Sequence, residues 1–282
     1  MISSEHNLAL SEQRVKRMVP LLGTFVRIEL YSHAYSESFL MEMISEMLAE
    51  ITRVQNLMSY YVPESDVSRF NRTEVGEWIE ISPETARVLQ FAETLRVRSG
   101  GVFNVGFHES WTGSFYELYA CCGEHPKVRK LKKSEIDLGG VAKGYAIDQA
   151  YAKVRPLHSS GEVFGSINAG GDLYLFEAEE VNLAVQVPVA ESLDHRILSM
   201  KEGAFATSTA KLNPELRLSY RKKNGDRLLE QKTVSITAGS SMVADALTKV
   251  LMLAETQAEQ NLSIECLSFF RARGFHEIHE SV

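Results

Sequence analysis

The sequence predicts an α+β protein with mixed or antiparallel sheets and packed helices. Two observations carry that prediction: long segments with apolar residues at helical spacing, and short alternating segments bounded by glycine turns. Helical and strand segments come in groups and do not alternate one for one, which disfavours a doubly wound parallel sheet.

The elements can be justified in order. In "GTFVRIEL", Thr24, Val26, Ile28 and Leu30 fall on one face and Phe25, Arg27 and Glu29 on the other, the period of a half-buried strand. From Ser36 to Leu57, Phe39, Leu40, Met43, Ile44, Met47, Leu48, Ile51, Val54 and Leu57 form one helical stripe. "SPETARVLQFAETLRVRSGG" marks its own ends, with Ser82 as N-cap, Pro83 in the first turn, and Gly100 and Gly101 past the last turn. "DLGGVAKGYAID" opens another helix, and "GEVFGSINAGGDLYLFE" reads as strand, turn, strand. Asn224-Gly225 is a hairpin signal and "KTVSITA" a strand. "SSMVADALTKVLMLAETQAEQ" and "LSIECLSFFRARG" read as helices, the second closed by Gly274, and "FHEIHE" as a short last strand. Residues 1–20 read as a polar extension and 21–282 as one continuous unit, compatible with two lobes.

Bulk properties exclude some functions. The 282 residues are 44% hydrophobic, enough for a sizeable core, and carry a formal net charge of -7 with no long basic run. Duplex nucleic acid is therefore not an expected partner. Cys121, Cys122 and Cys266 match neither a zinc spacing nor a disulfide framework and are expected to be free thiols. The first twenty residues hold no apolar run of signal-peptide length, and no membrane span is expected. The chain as it stands is expected in the cytoplasm. A chain whose leader had been removed would read the same and belong in the periplasm.

Three segments suggest chemistry. In "GGVAKG", Gly139 and Gly140 let backbone amides approach a ligand, the helix start supplies unpaired N–H groups, and Lys143 adds full charge, a combination suited to phosphate. It is not a Walker A loop, because Ala142 and Gly144 flank the lysine where that motif needs Gly and Ser or Thr. "NAGGD", Asn168 to Asp172, is a second glycine turn suited to close ligand approach. In "SMVADALTKV", Asp245 lies in an otherwise apolar stretch, where a carboxylate is costly to bury unless it is paired or holds a hard cation.

Taken together and in order, "LLGTFV", "MSYYVPESDVSRFN", "SGGVFN", "DLGGVAKGYAID", "INAGGD", "FATS" and "ADALTK" resemble the ApbE-like FAD:protein FMN transferases from about Leu21 to Leu253. The resemblance implies an α+β fold that binds FAD and a divalent cation, usually magnesium. It implies transfer of FMN to a Thr or Ser hydroxyl of a flavin-acceptor protein, with release of AMP. On that resemblance Lys143 serves electrostatic catalysis and Asp148 an orienting role. Thr24, Tyr61, Ser65, Gly139, Gly140, Lys143, Asp148, Asn168, Gly170, Gly171, Asp172, Thr207 and Ser208 would contact the flavin nucleotide. The Ala142 carbonyl and Asp245 would hold the metal.

The chain also departs from the family pattern. The H-x-x-D-P-x-T-G segment expected before the last Asp helix is absent from "RKKNGDRLLEQKTVSITAGS". Thr207 to Thr209 read T-S-T where T-S-G is usual, and Phe103-Asn104 stands for F-D. A metal-binding Thr is expected four residues after Asp245, where this chain has Lys249. Either Thr248 substitutes as ligand, or Lys249 pairs with Asp245 and replaces the cation. The expected function is flavin transfer, the alternative a flavin-binding protein that stores, delivers or senses FAD without transfer. Among the histidines, His108 is the first to mutate.

Overall fold

The computed structural model describes residues 11–107, 113–119, 125–189, 192–210 and 232–271. The chain opens with strands β1 (Gln13–Leu21) and β2 (Thr24–Ser32), then helices α1 (Glu37–Met58) and α2 (Asp66–Arg72). Strand β3 (Trp78–Glu80) and helix α3 (Pro83–Arg98) precede four short strands, β4 (Gly106–Phe107), β5 (Tyr116–Tyr119), β6 (Lys127–Lys130) and β7 (Glu135–Ile136). Helix α4 (Ala142–Ser159) leads into β8 (Phe164–Ala169), β9 (Asp172–Val189), β10 (Ser192–Ala210) and β11 (Lys232–Ala238). Helices α5 (Ser241–Leu253) and α6 (Gln257–Arg271) follow.

The main sheet is six-stranded, in the order β1-β2-β8-β9-β10-β11, with every pairing antiparallel. The expected α+β class is what is found. β2 shows the alternation read from sequence, with Val26, Ile28 and Leu30 fully buried. β2 pairs with β8 from Val26↔Ala169 to Tyr31↔Phe164, and β8 pairs with β9 from Ala169↔Asp172 to Gly165↔Phe176. The Gly170-Gly171 turn thus lies at the same end of the sheet as the start of β2.

Helix α1 begins at the N-cap Ser36 and buries Leu40, Ile44, Met47, Leu48, Ile51 and Val54, the expected stripe. α3 starts at the N-cap Ser82 with Pro83 in its first turn. α5 differs from both: every residue from Ser241 to Val250 is buried, so it is a core helix enclosed on all sides, and its polar side chains must find partners inside the protein.

Two boundaries differ from the sequence reading. Residues 13–20, read as part of a polar extension, form most of β1, registered on β2 from Gln13↔Ser32 to Leu21↔Thr24. As an edge strand β1 buries only Val15, so its sequence carries almost no alternation signal. The helix read as continuous through Gln260 stops at Leu253, and α6 starts at Gln257. Ala254 leaves the helix with an extended backbone, without a glycine or proline to announce it. The Asn224-Gly225 hairpin, the closing Gly274, the "FHEIHE" strand, His108, Cys121 and Cys122 lie outside the described residues. Cys266 is a buried free thiol. Among the described residues, no helix is long and apolar enough to cross a membrane.

Candidate functional site

Helix α4 starts on the loop "DLGG". The Ala142 and Val141 N–H groups both donate to the Leu138 carbonyl, at 2.7 and 2.9 Å, and wind the chain into the first turn. No side chain caps this end at Val141, and no acidic residue sits in the first turn. The positive end of the helix is therefore not neutralised from within the helix. Gly139 is less available than the sequence suggests, because its N–H donates to Asp137 Oδ1 at 2.8 Å. Burial pushes the Asp137 carboxyl above the usual carboxylate range, and the Gly139 N–H pulls it back.

From the first turn of α4, Lys143 Nζ donates to Asp172 Oδ2 at the start of β9 and lies 3.7 Å from Asp245 Oδ1 on α5. Lys249, one turn after Asp245, donates its ammonium to the same Asp245 oxygen. Three elements thereby bring two lysines and two aspartates into one cluster. Asp245 is 0% exposed and Asp172 2%, so each carboxylate is held where solvent cannot stabilise it and depends on an ammonium partner. Burial and the facing Asp245 carboxylate push the Asp172 carboxyl up, while Lys143 and Lys249 pull it down.

Around this cluster lie glycine and hydroxyl positions. A Cβ at Gly140 would lie 3.9 Å from the Lys249 side chain and 3.7 Å from the Phe103 ring, so the loop before α4 runs alongside Lys249. At the sheet end, Gly170 has φ +63, and a Cβ there would meet Thr24 Oγ1 at 2.5 Å. Asn168 Oδ1 closes the turn by accepting from the Gly171 N–H at 3.3 Å. Thr24 also lines an open pocket of about 440 Å³ with Pro20, Leu21, Gly23, Phe25 and Gln55. Neither lysine lines that pocket; Thr24 links it to the glycine turn.

The remaining expected site residues have different surroundings. Ser208 Oγ lies 2.7 Å from Thr248 Oγ1, which itself donates to the Asp245 carbonyl at 2.6 Å, so both hydroxyls belong to the wall of the cluster. Thr207, beside Ser208 on β10, instead pairs with Ser235 Oγ at 2.9 Å. Asp148 and Ser65 have structural partners. Asp148 accepts from Ser240 Oγ at 2.7 Å and from the Ser241 and Met242 N–H groups at 2.7 and 3.0 Å, capping α5 from α4. Burial pushes its carboxyl up to about 6 against those donors. Ser65 caps α2, donating to the Ser59 carbonyl at 2.6 Å and accepting from the Ser68 N–H at 3.0 Å. Tyr61 is 73% exposed and stands edge-on to Tyr60, whose hydroxyl donates to Glu135 Oε2 at 2.5 Å.

Sequence reasoning missed Asn71, Asp137 and Glu135 as supports of the "DLGG" loop. Asn71 brackets Ile136, with Nδ2 on its carbonyl and Oδ1 on its N–H, and so fastens α2 to β7 just before the loop. The signal was present in "SRFN", inside a segment read only for its resemblance.

A hard cation such as magnesium is a poor fit to this donor set. Magnesium is ordinarily held by one or two carboxylates that are free to ligate, with water and substrate phosphates completing its shell. Here one buried carboxylate oxygen, Asp245 Oδ2, lacks a hydrogen-bond partner, while Asp245 Oδ1 and Asp172 Oδ2 already face ammonium groups. Thr248, the expected substitute ligand, has its hydroxyl engaged by the Asp245 carbonyl and Ser208. Among the described residues, no group of three or more His, Cys, Asp and Glu side chains is placed to hold a metal.

An antiparallel sheet backed by helices, with a lysine at an uncapped helix start beside a double-glycine turn, defines an α+β protein built around a glycine-lined cluster of paired lysines and aspartates. The family model described as the ApbE family matches residues 22–266, and the chain belongs to that family. It is 27% identical to the FAD:protein FMN transferase of Haemophilus influenzae, over 76% of this chain and 73% of that one. Among solved structures, the ApbE protein from Thermotoga maritima superposes with a TM-score of 0.75 at 20% identity, covering 92% of each chain. The flavin transferase ApbE from Vibrio cholerae gives 0.70 at 21% identity, covering 90% of this chain and 91% of that one. The apo flavinyl transferase ApbE of Pseudomonas stutzeri gives 0.74 at 17%, covering 89% and 88%.

Proposed function

We propose that this chain binds FAD and transfers its FMN half to a Thr or Ser hydroxyl of an acceptor protein, releasing AMP. The observation that carries this reading is the Lys143 ammonium, held by Asp172 beside the uncapped start of α4 and the Gly170-Gly171 turn. A dinucleotide diphosphate is an anion suited to such a place, and a relative in sequence is named for this reaction.

In the transfer, the acceptor hydroxyl oxygen bonds to the phosphorus of the FMN half. The bridging P–O bond breaks, AMP leaves, and the hydroxyl proton is released. Chemistry of this type rests mainly on positioning and on neutralising charge at the phosphoryl oxygens. Lys143 supplies that charge and Asp172 aims it. Asp148 holds the start of α5 against α4, which fixes Asp245 and Lys249 relative to Lys143. No step is assigned to magnesium, because the donor set does not suit it.

The test is to incubate the full chain with FAD and an acceptor domain, then read flavin fluorescence on a denaturing gel. A labelled acceptor band that Lys143→Met abolishes is expected. No label with chelator or with any divalent cation would contradict transfer. A second reading, flavin binding without transfer, is favoured by the Lys249–Asp245 ion pair and predicts bound FAD with no labelled band.

A further inference from the structure

We infer that the Lys249 ammonium takes the place of a divalent cation in this chain, so that the site holds a dinucleotide diphosphate through two lysines without a metal ion. This rests on the flavin reading above and adds to it how the diphosphate charge is met.

The inference follows from how Asp245 is occupied. Lys249 lies one helical turn after Asp245 on a core helix, so the two side chains emerge on the same face and meet within the protein. Lys249 is 8% exposed and Asp245 0%, so a cation replacing Lys249 at Asp245 Oδ1 would leave an ammonium buried and unpaired, a costly exchange. Lys143 approaches the same oxygen from α4 while bound to Asp172. Asp245 Oδ1 already faces two ammonium groups, and a divalent ion placed at that oxygen would meet both. The Lys249 stem also runs beside Gly140, in the loop that leads to the uncapped start of α4. Lys249 thereby reaches the anchoring carboxylate with its ammonium while its stem lies along the loop expected to meet phosphate. Asp245 Oδ2 has no hydrogen-bond partner, while Oδ1 of the same carboxylate is already held by Lys249.

The experiment is an FAD titration of the full chain, followed by fluorescence anisotropy in chelator and again in millimolar magnesium. Affinities equal within about twofold are expected, whereas affinity about tenfold or more higher with magnesium would overturn the inference. Manganese alone, followed by electron paramagnetic resonance, gives a readout that does not depend on flavin. No bound manganese is expected, and a tightly bound ion would overturn the inference. Lys249→Thr is expected to lose about tenfold or more in FAD affinity in chelator and to recover with magnesium. An unchanged affinity in chelator would count against Lys249. Should that variant misfold by circular dichroism, the wild-type titrations decide. Absence of FAD binding in both buffers would sink the flavin reading, and this inference with it, whereas magnesium-dependent binding would sink the inference alone.

Discussion

Gly144 has a different task from the glycines before it in "GGVAKG". A Cβ there would lie 2.3 Å from the Ser241 carbonyl oxygen and 2.6 Å from Met242 Cα, both backbone atoms, so α4 and α5 touch where only glycine fits. Gly144→Ala is therefore expected to destabilise the fold by about 1–3 kcal/mol, seen as a lowered Tm. An unchanged Tm would show that the helices can part. Asp148 lies one turn further along α4 and caps α5 at the same contact. Asp148→Asn turns an amide NH2 toward hydroxyl and N–H donors and is expected to cost about 1–3 kcal/mol in denaturant unfolding. Its pH dependence has a definite sign. The native carboxyl titrates near 6 against an ordinary 3.8, so between those values the folded state holds a proton that the unfolded state has released. The stability this group contributes is full below about 3.8 and is lost as pH rises through about 6. The stability difference between wild type and Asp148→Asn should thus narrow from pH 4 to pH 7. A difference that widens would contradict burial as the dominant influence. Some of this was legible in sequence. Lys249 and Asp245 are an i,i+4 pair, and helical spacing alone brings them together. Lys143 and Asp172 are 29 residues apart, and no local rule joins them; only the return of β8 and β9 does.

Elements were legible in proportion to how much of their own surface they bury. α1, α3 and β2 carry strong patterns and clear caps, and they lie where sequence places them. β3 to β7 are two to four residues long, too short for a period to register, and take their form from pairing partners. The junction between α2 and α3 shows a coupling that neither segment announces. Asp66, at the start of α2, accepts from both the N–H and the hydroxyl of Ser82, at 2.9 and 2.7 Å, and pairs with Arg69 at 3.1 Å. It thereby ties the start of α2 to the N-cap of α3. Asp66→Ala leaves the Ser82 N–H without its acceptor and is expected to cost about 1.5–3 kcal/mol, read as a lower urea midpoint with unchanged slope. A loss no larger than that of an exposed substitution would mean water replaces the carboxylate without penalty.

At the scale of the whole molecule, the fold gathers chemistry that its sequence disperses. The sheet order sets the β8–β9 turn beside the start of β2, so Asp172 and Thr24 share one end of the sheet. α4 brings Lys143 to that end, and α5, capped by Asp148, carries Asp245 and Lys249 to it from within the core. Flavin chemistry became legible only through the ordered motifs of the resemblance, since charge, composition and periodicity are shared with many proteins that bind nothing of the kind. The paired state of Lys249 and the engaged hydroxyl of Thr248 required the structure, because they depend on what else is buried against α5. The central claim, that Lys143 meets the diphosphate of FAD, is tested most directly by equilibrium dialysis of FAD against wild type and Lys143→Met, with circular dichroism to check folding. Removing one charge-assisted contact should weaken binding about tenfold or more in a folded variant. Equal FAD binding by wild type and the folded variant would contradict the claim.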